Sequence, residues 1–262
     1  MPLPRTELKN LKLMLTKKGR KKSRAFLAEG VRLLEESVCL DFLPRTVYYA
    51  PSMLSNRAEK LVKKFENCMI ETVKLSAREL NSLSEAETPQ GVVGLFTMPQ
   101  TKLAKLYQPK DRRFILCENI SDPGNLGTLA RSSLAFGFDL MLLCGSTVEP
   151  YSPKVVRASA GAVFGLRIAV VSLKEVQVFA KRERIIIVAA DTWGKHDTRL
   201  PKRTLQKRRI MLAIGSEATG LSKMILEKSD LRVRIKHLRA VESLNAAVAG
   251  SILMKQIYDL SH

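Results

Sequence analysis

No apolar run in this chain approaches the roughly 20 residues that a membrane span requires. Its basic start is not followed by an apolar stretch ending in a small-residue cleavage site, so neither a spanning helix nor a secretory leader is expected. There is no C-x-x-C pair. The four cysteines, Cys39, Cys68, Cys117 and Cys144, lie far apart in apolar stretches, which reads as buried thiols in a reducing cytoplasm and not as disulfides or a zinc site. The only histidines are His196, His237 and His262. No metal-ligand spacing links them, and no metal is expected. No G-x-G-x-x-G follows an expected strand, which argues against a nicotinamide-dinucleotide enzyme. No glycine loop ends in the Lys-Ser/Thr pair of a P-loop. The scarcest property is negative charge: 25 Asp and Glu stand against 44 Lys and Arg, a net charge of +19. That excess points to a polyanionic partner, with nucleic acid first.

What is present is an ordinary folded composition, 45% hydrophobic and 26% charged over 262 residues, long enough for one large domain or two of usual size. The positive charge is clustered. Lys9, Lys12, Lys17, Lys18, Arg20, Lys21, Lys22 and Arg24 follow one another with no acid among them. Such a segment would contact phosphates without reading sequence, and its grip would weaken as salt rises.

The pattern divides the chain into a first domain over residues 1–98, a linker over 99–111 and a second domain over 112–262. In the first, a basic opening helix precedes a short strand and helix around Phe26 to Leu34. TVYYA is a strand, Ala58 to Phe65 a helix, MIETVKL a strand, SARELNSLSEAE a helix capped by Ser76, and GVVGLF a strand. That alternation indicates a small α/β domain. The linker contains Pro99 and Pro109 and little periodicity. Beyond it the order is RFILCEN strand, NLGTLARSSLAFG helix, LMLLCG strand, KVVRASAGAVFG helix, RIAVV strand, a helix near Leu173 to Arg182, RIIIVAAD strand, IMLAIG strand, a short helix near Leu221 to Lys228, LRVRI strand and a long last helix. Apolar strands between helices imply a parallel sheet covered on both faces, which binds ligands beyond the carboxyl ends of its strands.

Three polar, glycine-containing runs fall at such ends. In Asn119 to Arg131, Asp122-Pro123-Gly124 is a turn and Asn125 begins a helix. Arg131 would project near the helix start, where Asn125 and backbone amides could share a phosphate with it. In Gly215 to Ser222, Gly215 would let a ligand approach the backbone, and Glu217 would face a cationic group. In Glu242-Ser243-Leu244-Asn245, Ser243 and Asn245 sit at the N-terminus of a helix whose free N–H groups could hold a ligand. Each run alone also reads as a capped helix or a glycine turn.

Taken together, the runs resemble the SpoU (TrmH-like) branch of the SPOUT RNA methyltransferases. Its motifs N-x-x-DPxN-x-G-x-x-x-R, G-[SN]-E-x-x-G-L, and an IPM segment followed by ESLN are similar to Asn119–Arg131, Gly215–Leu221 and Ile235–Asn245. AFLAEGVRLLEE, TPQGVVGLF and KVVRASAGAVFG resemble further segments of the family, so the likeness covers nearly the whole chain. It implies a C-terminal parallel-sheet SPOUT domain with a deep trefoil knot, preceded by a small ribosomal-protein-like α/β domain that grips RNA. It implies S-adenosylmethionine held by backbone at Gly215, Ile235 and Leu244, and a homodimer with the active site at its interface. The implied reaction is methyl transfer to a ribose 2′-hydroxyl, in ribosomal RNA before transfer RNA. Arg131 would act on that hydroxyl through the adjacent phosphate, Asn125 would orient the same group, and Glu217 would sit near the donor's positive charge. Ser243 and Asn245 would order the loop and the substrate edge. One departure is that Lys236-His237 stands where the family has Pro-Met, and another is that Ala218 replaces a frequent glycine. A non-catalytic RNA-binding module of the same fold and a small-molecule methyltransferase are the competing readings.

Overall fold

Helix α4 (Asn56–Asn67) shows how directly the periodicity becomes structure. Ala58, Leu61, Val62 and Phe65 recur at helical spacing and are all buried, and the Ser55 side chain caps the start. A computed structural model describes residues 3–194, 196 and 197 (backbone only), 205, 208–238 and 243–260. Glu242, His262 and the His196 side chain lie outside the described residues.

The chain splits into two compact units. The first comprises residues 1–99 together with 149–165. It contains α1 (Arg5–Leu13), α2 (Lys17–Ser23), β1 (Ala25–Glu29), α3 (Val31–Cys39), β2 (Thr46–Tyr49), α4, β3 (Glu71–Lys74), α5 (Ala77–Asn81) and β4 (Val92–Thr97). Its sheet runs β1-β4-β2-β3, antiparallel except for the β2–β3 pair. The basic opening helix is two helices, because Thr16 caps α2 by accepting from Gly19 N at 3.1 Å and so restarts the chain. Ser76 caps α5 as expected, and Glu79 completes a capping box with it, but the helix ends at Asn81. KVVRASAGAVFG is also not one helix. It breaks into α8 (Pro153–Ala158) and α9 (Ala162–Gly165) at Ala160 and Gly161, whose φ angles are 49° and 89°. Phe164 then stacks on Phe96 within this unit, with ring centroids 5.0 Å apart.

One member of the basic cluster is spent on this packing. Arg20 is buried and donates to both carboxylate oxygens of Glu149 (3.2 and 2.8 Å) and to the carbonyls of Met14 and Leu15 (both 2.8 Å). The other seven cations of the cluster are exposed.

The second unit comprises residues 100–148 and 166–262. Its elements are α6 (Leu103–Leu106), β5 (Arg113–Glu118), α7 (Pro123–Ala135), β6 (Leu140–Cys144), β7 (Arg167–Val170), α10 (Leu173–Arg182), β8 (Ile186–Ala190), β9 (His196–Asp197), β10 (Ile210–Ile214), α11 (Lys223–Lys228), β11 (Leu231–Arg234) and α12 (Ala246–Asp259). The sheet order is β7-β6-β5-β10-β8-β11-β9, and every pairing is parallel. All residues of β6 and β10 are buried, as continuous apolar runs in a doubly covered sheet require. The two-residue β9 carries no pattern that the sequence could have announced. Residues 100–111 pack into this unit. Leu103, Leu106 and Tyr107 rest on its core, and the fully buried Asp111 accepts two hydrogen bonds from the Arg167 guanidinium, at 3.0 and 2.8 Å.

The expectation of four buried thiols fails for two of them. Cys117 and Cys144 are buried in strands, but Cys39 ends α3 and Cys68 caps α4, and both are exposed there.

Candidate functional site

Strands β5, β10, β8 and β11 are adjacent in the sheet, so the loops leaving their carboxyl ends share one edge. After β5, the Asp122 side chain caps α7 by accepting from Asn125 N at 2.7 Å, with Pro123 at the first helical position. The helix therefore begins at Pro123 and not at Asn125, and the Asn125 amide is already satisfied. What Asn125 offers is its side chain.

After β10 the chain makes a tight loop. A Cβ on Gly215 would lie 2.2 Å from the Gly220 carbonyl carbon and 2.3 Å from Leu221 N, so only glycine lets the loop fold back. The close approach anticipated at Gly215 is thus made by the loop's own return. Ser216 holds that return: its carbonyl accepts from Gly220 N (2.8 Å) and its hydroxyl from Thr219 N (3.1 Å). The far end is pinned by Glu118, a fully buried acid at the end of β5, which accepts from Ser222 N at 2.9 Å. Sequence reading missed Glu118, although an acid closing an apolar strand is a visible signal.

At α12, Asn245 is the N-cap. Its Oδ1 accepts from Ala247 N (2.9 Å) and Val248 N (3.1 Å), while Ala246 N donates to Glu217 Oε1 (3.2 Å). The first amides of this helix are therefore occupied within the protein and do not wait for a ligand.

Glu217 joins the three runs. Its Oε1 accepts from Asn125 Nδ2 (3.1 Å), from Asn245 Nδ2 (2.5 Å) and from Ala246 N, and Asn245 Nδ2 also donates to Asn125 Oδ1 (2.8 Å). Residues 125, 217 and 245 meet although up to 120 positions separate them. Beside them lies a cavity of about 490 Å³, lined by Gly215, Glu217, Ile235, Ser243 and Leu244. This lies within the range of roughly 300–1,000 Å³ usual for small-molecule sites. Trp193, Arg234 and His237 line it as well, none of them singled out in the sequence as site residues. His237 Nδ1 donates to the Ile235 carbonyl at 2.9 Å, so the residue in the family's methionine position takes up one backbone group of the third motif.

Arg131 does not line the cavity. It is exposed on α7, two turns beyond Gly124 and on the same face, and among the described residues it makes no hydrogen bond or ion pair. Its guanidinium is free to meet a ligand phosphate.

The model of the SpoU rRNA Methylase family matches residues 112–255, and that of an MRM3-like substrate binding domain matches residues 5–94. A 23S rRNA (guanosine(2553)-2′-O)-methyltransferase, RlmP of Bacillus subtilis, is 29% identical over 95% of this chain and 94% of its own. A 23S rRNA (uridine(2479)-2′-O)-methyltransferase of Streptomyces viridochromogenes is 30% identical over 89% of this chain and 83% of its own. The crystal structure of the SpoU methyltransferase AviRb from Streptomyces viridochromogenes, in complex with the cofactor AdoMet, superposes with a TM-score of 0.85 at 26% identity, covering 98% of each chain.

Proposed function

This chain belongs to the SpoU rRNA methylase family, and from that premise we propose that it methylates a ribose 2′-hydroxyl of 23S ribosomal RNA with S-adenosylmethionine as donor. The observation that carries the proposal is the single polar cluster of Asn125, Glu217 and Asn245 against the cavity of Gly215, Ile235 and Leu244. A cavity of small-molecule size fits that molecule, which when bound supplies an electrophilic methyl group. Arg131, without a partner among the described residues, neutralises and positions the phosphate next to the target ribose. Arginine keeps its proton at any working pH, so positioning is its role and general base is not. Asn125 orients the same nucleotide, and Glu217 fixes Asn125 against α12. Ser243 borders the donor from the cavity wall.

The region around Ile235 to Asn245 closes a trefoil knot in this reading, supported by the third motif and by the likeness to AviRb. The working form is a homodimer, supported by Val248 and Ile252, apolar side chains exposed on α12. The first unit grips RNA, and the match to a substrate binding domain supports that role. No described helix is long and apolar enough to cross a membrane; a cytoplasmic location is part of this reading, supported by the likeness to a bacterial rRNA methyltransferase. Incubation of total cellular RNA with labelled donor, followed by mapping of the label, tests the proposal. The expected product is a 2′-O-methyl ribose in 23S rRNA. Label on a base or on transfer RNA would overturn it.

A further inference from the structure

The chain contains one tryptophan, and it is the wrong way out for a structural residue. Trp193 is 87% exposed, whereas tryptophans are on average among the most buried side chains. Its position is not that of a loose loop tip. Asp191 N donates to the Val233 carbonyl at 3.0 Å, Trp193 N to Asp191 Oδ1 at 3.0 Å, and Gly194 N to the Asp191 carbonyl at 3.0 Å. A Cβ on Gly194 would lie 2.9 Å from both the Arg232 carbonyl oxygen and the Val233 carbonyl carbon, so the turn is pressed against β11. A braced turn therefore presents a bare indole to solvent.

Trp193 is also among the residues that line the cavity assigned above to the donor, and so is Arg234. Arg234 is exposed and, among the described residues, makes no hydrogen bond or ion pair. An aromatic face and an unpaired guanidinium on one wall are the two parts from which single-strand nucleic-acid grooves are made: a platform for a base and a counter-charge for its phosphate. The donor carries no phosphate, and a ring inside the cavity would leave most of an indole this exposed uncovered. Trp193 follows β8, while Asn125 follows β5, with β10 between them. The two strands that lead to them, β8 and β5, stand two spacings apart, about 10 Å, which suits a nucleotide beside the methylated one and not the methylated one itself.

We propose that Trp193 and Arg234 form a flanking-nucleotide subsite, in which an unpaired RNA base stacks on the indole and its phosphate meets the guanidinium. The proposal rests on the reading of the chain as an RNA methyltransferase. The subsite is sequence-tolerant, because every base has a stacking face, and it selects for a target displayed in a single-stranded loop over one held in a duplex.

Because Trp193 is the sole tryptophan, fluorescence of the full chain reports on this position alone. Oligouridylate is expected to change the emission, and an abasic oligomer of equal length is expected to leave it unchanged. In methyl transfer to purified 23S rRNA, W193A is expected to raise KM roughly tenfold, within the ~5- to 150-fold that loss of one stacked base entails. W193F should restore most of it, and the donor Kd from calorimetry should not move. R234Q should lower the salt slope of RNA binding by about one unit. Emission indifferent to oligouridylate, or an unchanged KM in W193A, would overturn the subsite. So would a donor Kd weakened as much as KM, which would give the indole to the donor's adenine. Absence of methyl transfer by the unmodified protein sinks the methyltransferase reading instead, and the oligouridylate arm still decides the subsite.

Discussion

Glu217 Oε1 receives three donors from two other segments, and this makes the division of labour around it legible. A residue so engaged holds loops in place, whereas Arg131 is exposed and has no partner among the described residues, which fits the phosphate-positioning role proposed for it. Arg131→Ala is therefore expected to lower methyl transfer by about 10²-fold or more, the scale of losing a positioned catalytic contact. Donor affinity should stay within twofold, because Arg131 does not line the cavity. Labelled transfer and calorimetry check the two halves, and near-normal turnover would remove Arg131 from the reaction. The cysteines offer a second test at this scale. Burial, then the neighbouring Glu118, pushes the Cys144 thiol up to about 12, and burial pushes Cys117 up as well. A raised pKa keeps the unreactive, protonated thiol across neutral pH. A thiol reagent should titrate two cysteines, Cys39 and Cys68, in the native protein and four after denaturation. Short-range pattern marks caps and turns: Asn245 caps as its sequence suggests, whereas Asp122, read as part of a turn, is the cap of a helix that starts two residues before Asn125. Arg20 was misread as a phosphate contact because its partner, Glu149, lies 129 positions away.

Among the elements, strands and most helices follow from periodicity, and the failures share one cause. KVVRASAGAVFG satisfies a helical pattern throughout, yet left-handed backbone at Ala160 and Gly161 divides it. Glycine makes such a break inexpensive, but the side chains that decide it, such as Phe164 on Phe96, come from elsewhere in the chain. Residues 99–111 read as a linker because they lack a repeating pattern, but their anchoring is ionic and specific. Asp111 is fully buried, bonded to Arg167 through both oxygens and to Gln108 N at 2.8 Å. Removing one partner of a buried pair strands the other. The Arg167 side chain keeps 28% of its exposure and can rehydrate, which places the loss below the usual range. Asp111→Ala should cost about 2–3 kcal/mol, seen as a lower urea midpoint with little change in slope. An unchanged midpoint would mean the pair contributes nothing to holding this stretch.

At the scale of the molecule, the opening basic cluster and the cavity belong to different units, so their effects should separate experimentally. The net charge of +19 is the property that composition alone reveals, and seven exposed cations of the Lys9–Arg24 cluster lie in the first unit. The cavity proposed for the donor is lined entirely by residues of the second. Phosphate contacts release counterions, each adding about 0.7–0.9 to the slope of log affinity against log salt. RNA binding should therefore weaken steeply between low and physiological salt, while donor binding, which needs no phosphate contact, should hardly move. Replacing Lys17, Lys18, Lys21 and Lys22 by Ala should flatten the RNA slope by up to about 3 units, with kcat at saturating RNA retained. Arg20→Ala should behave differently. Its charge is already paired with Glu149, so its loss should lower the stability of the first unit and leave the salt slope of the folded protein nearly unchanged. If instead the quadruple variant keeps the full slope, the RNA is gripped elsewhere on the basic surface, and the opening helices serve another purpose.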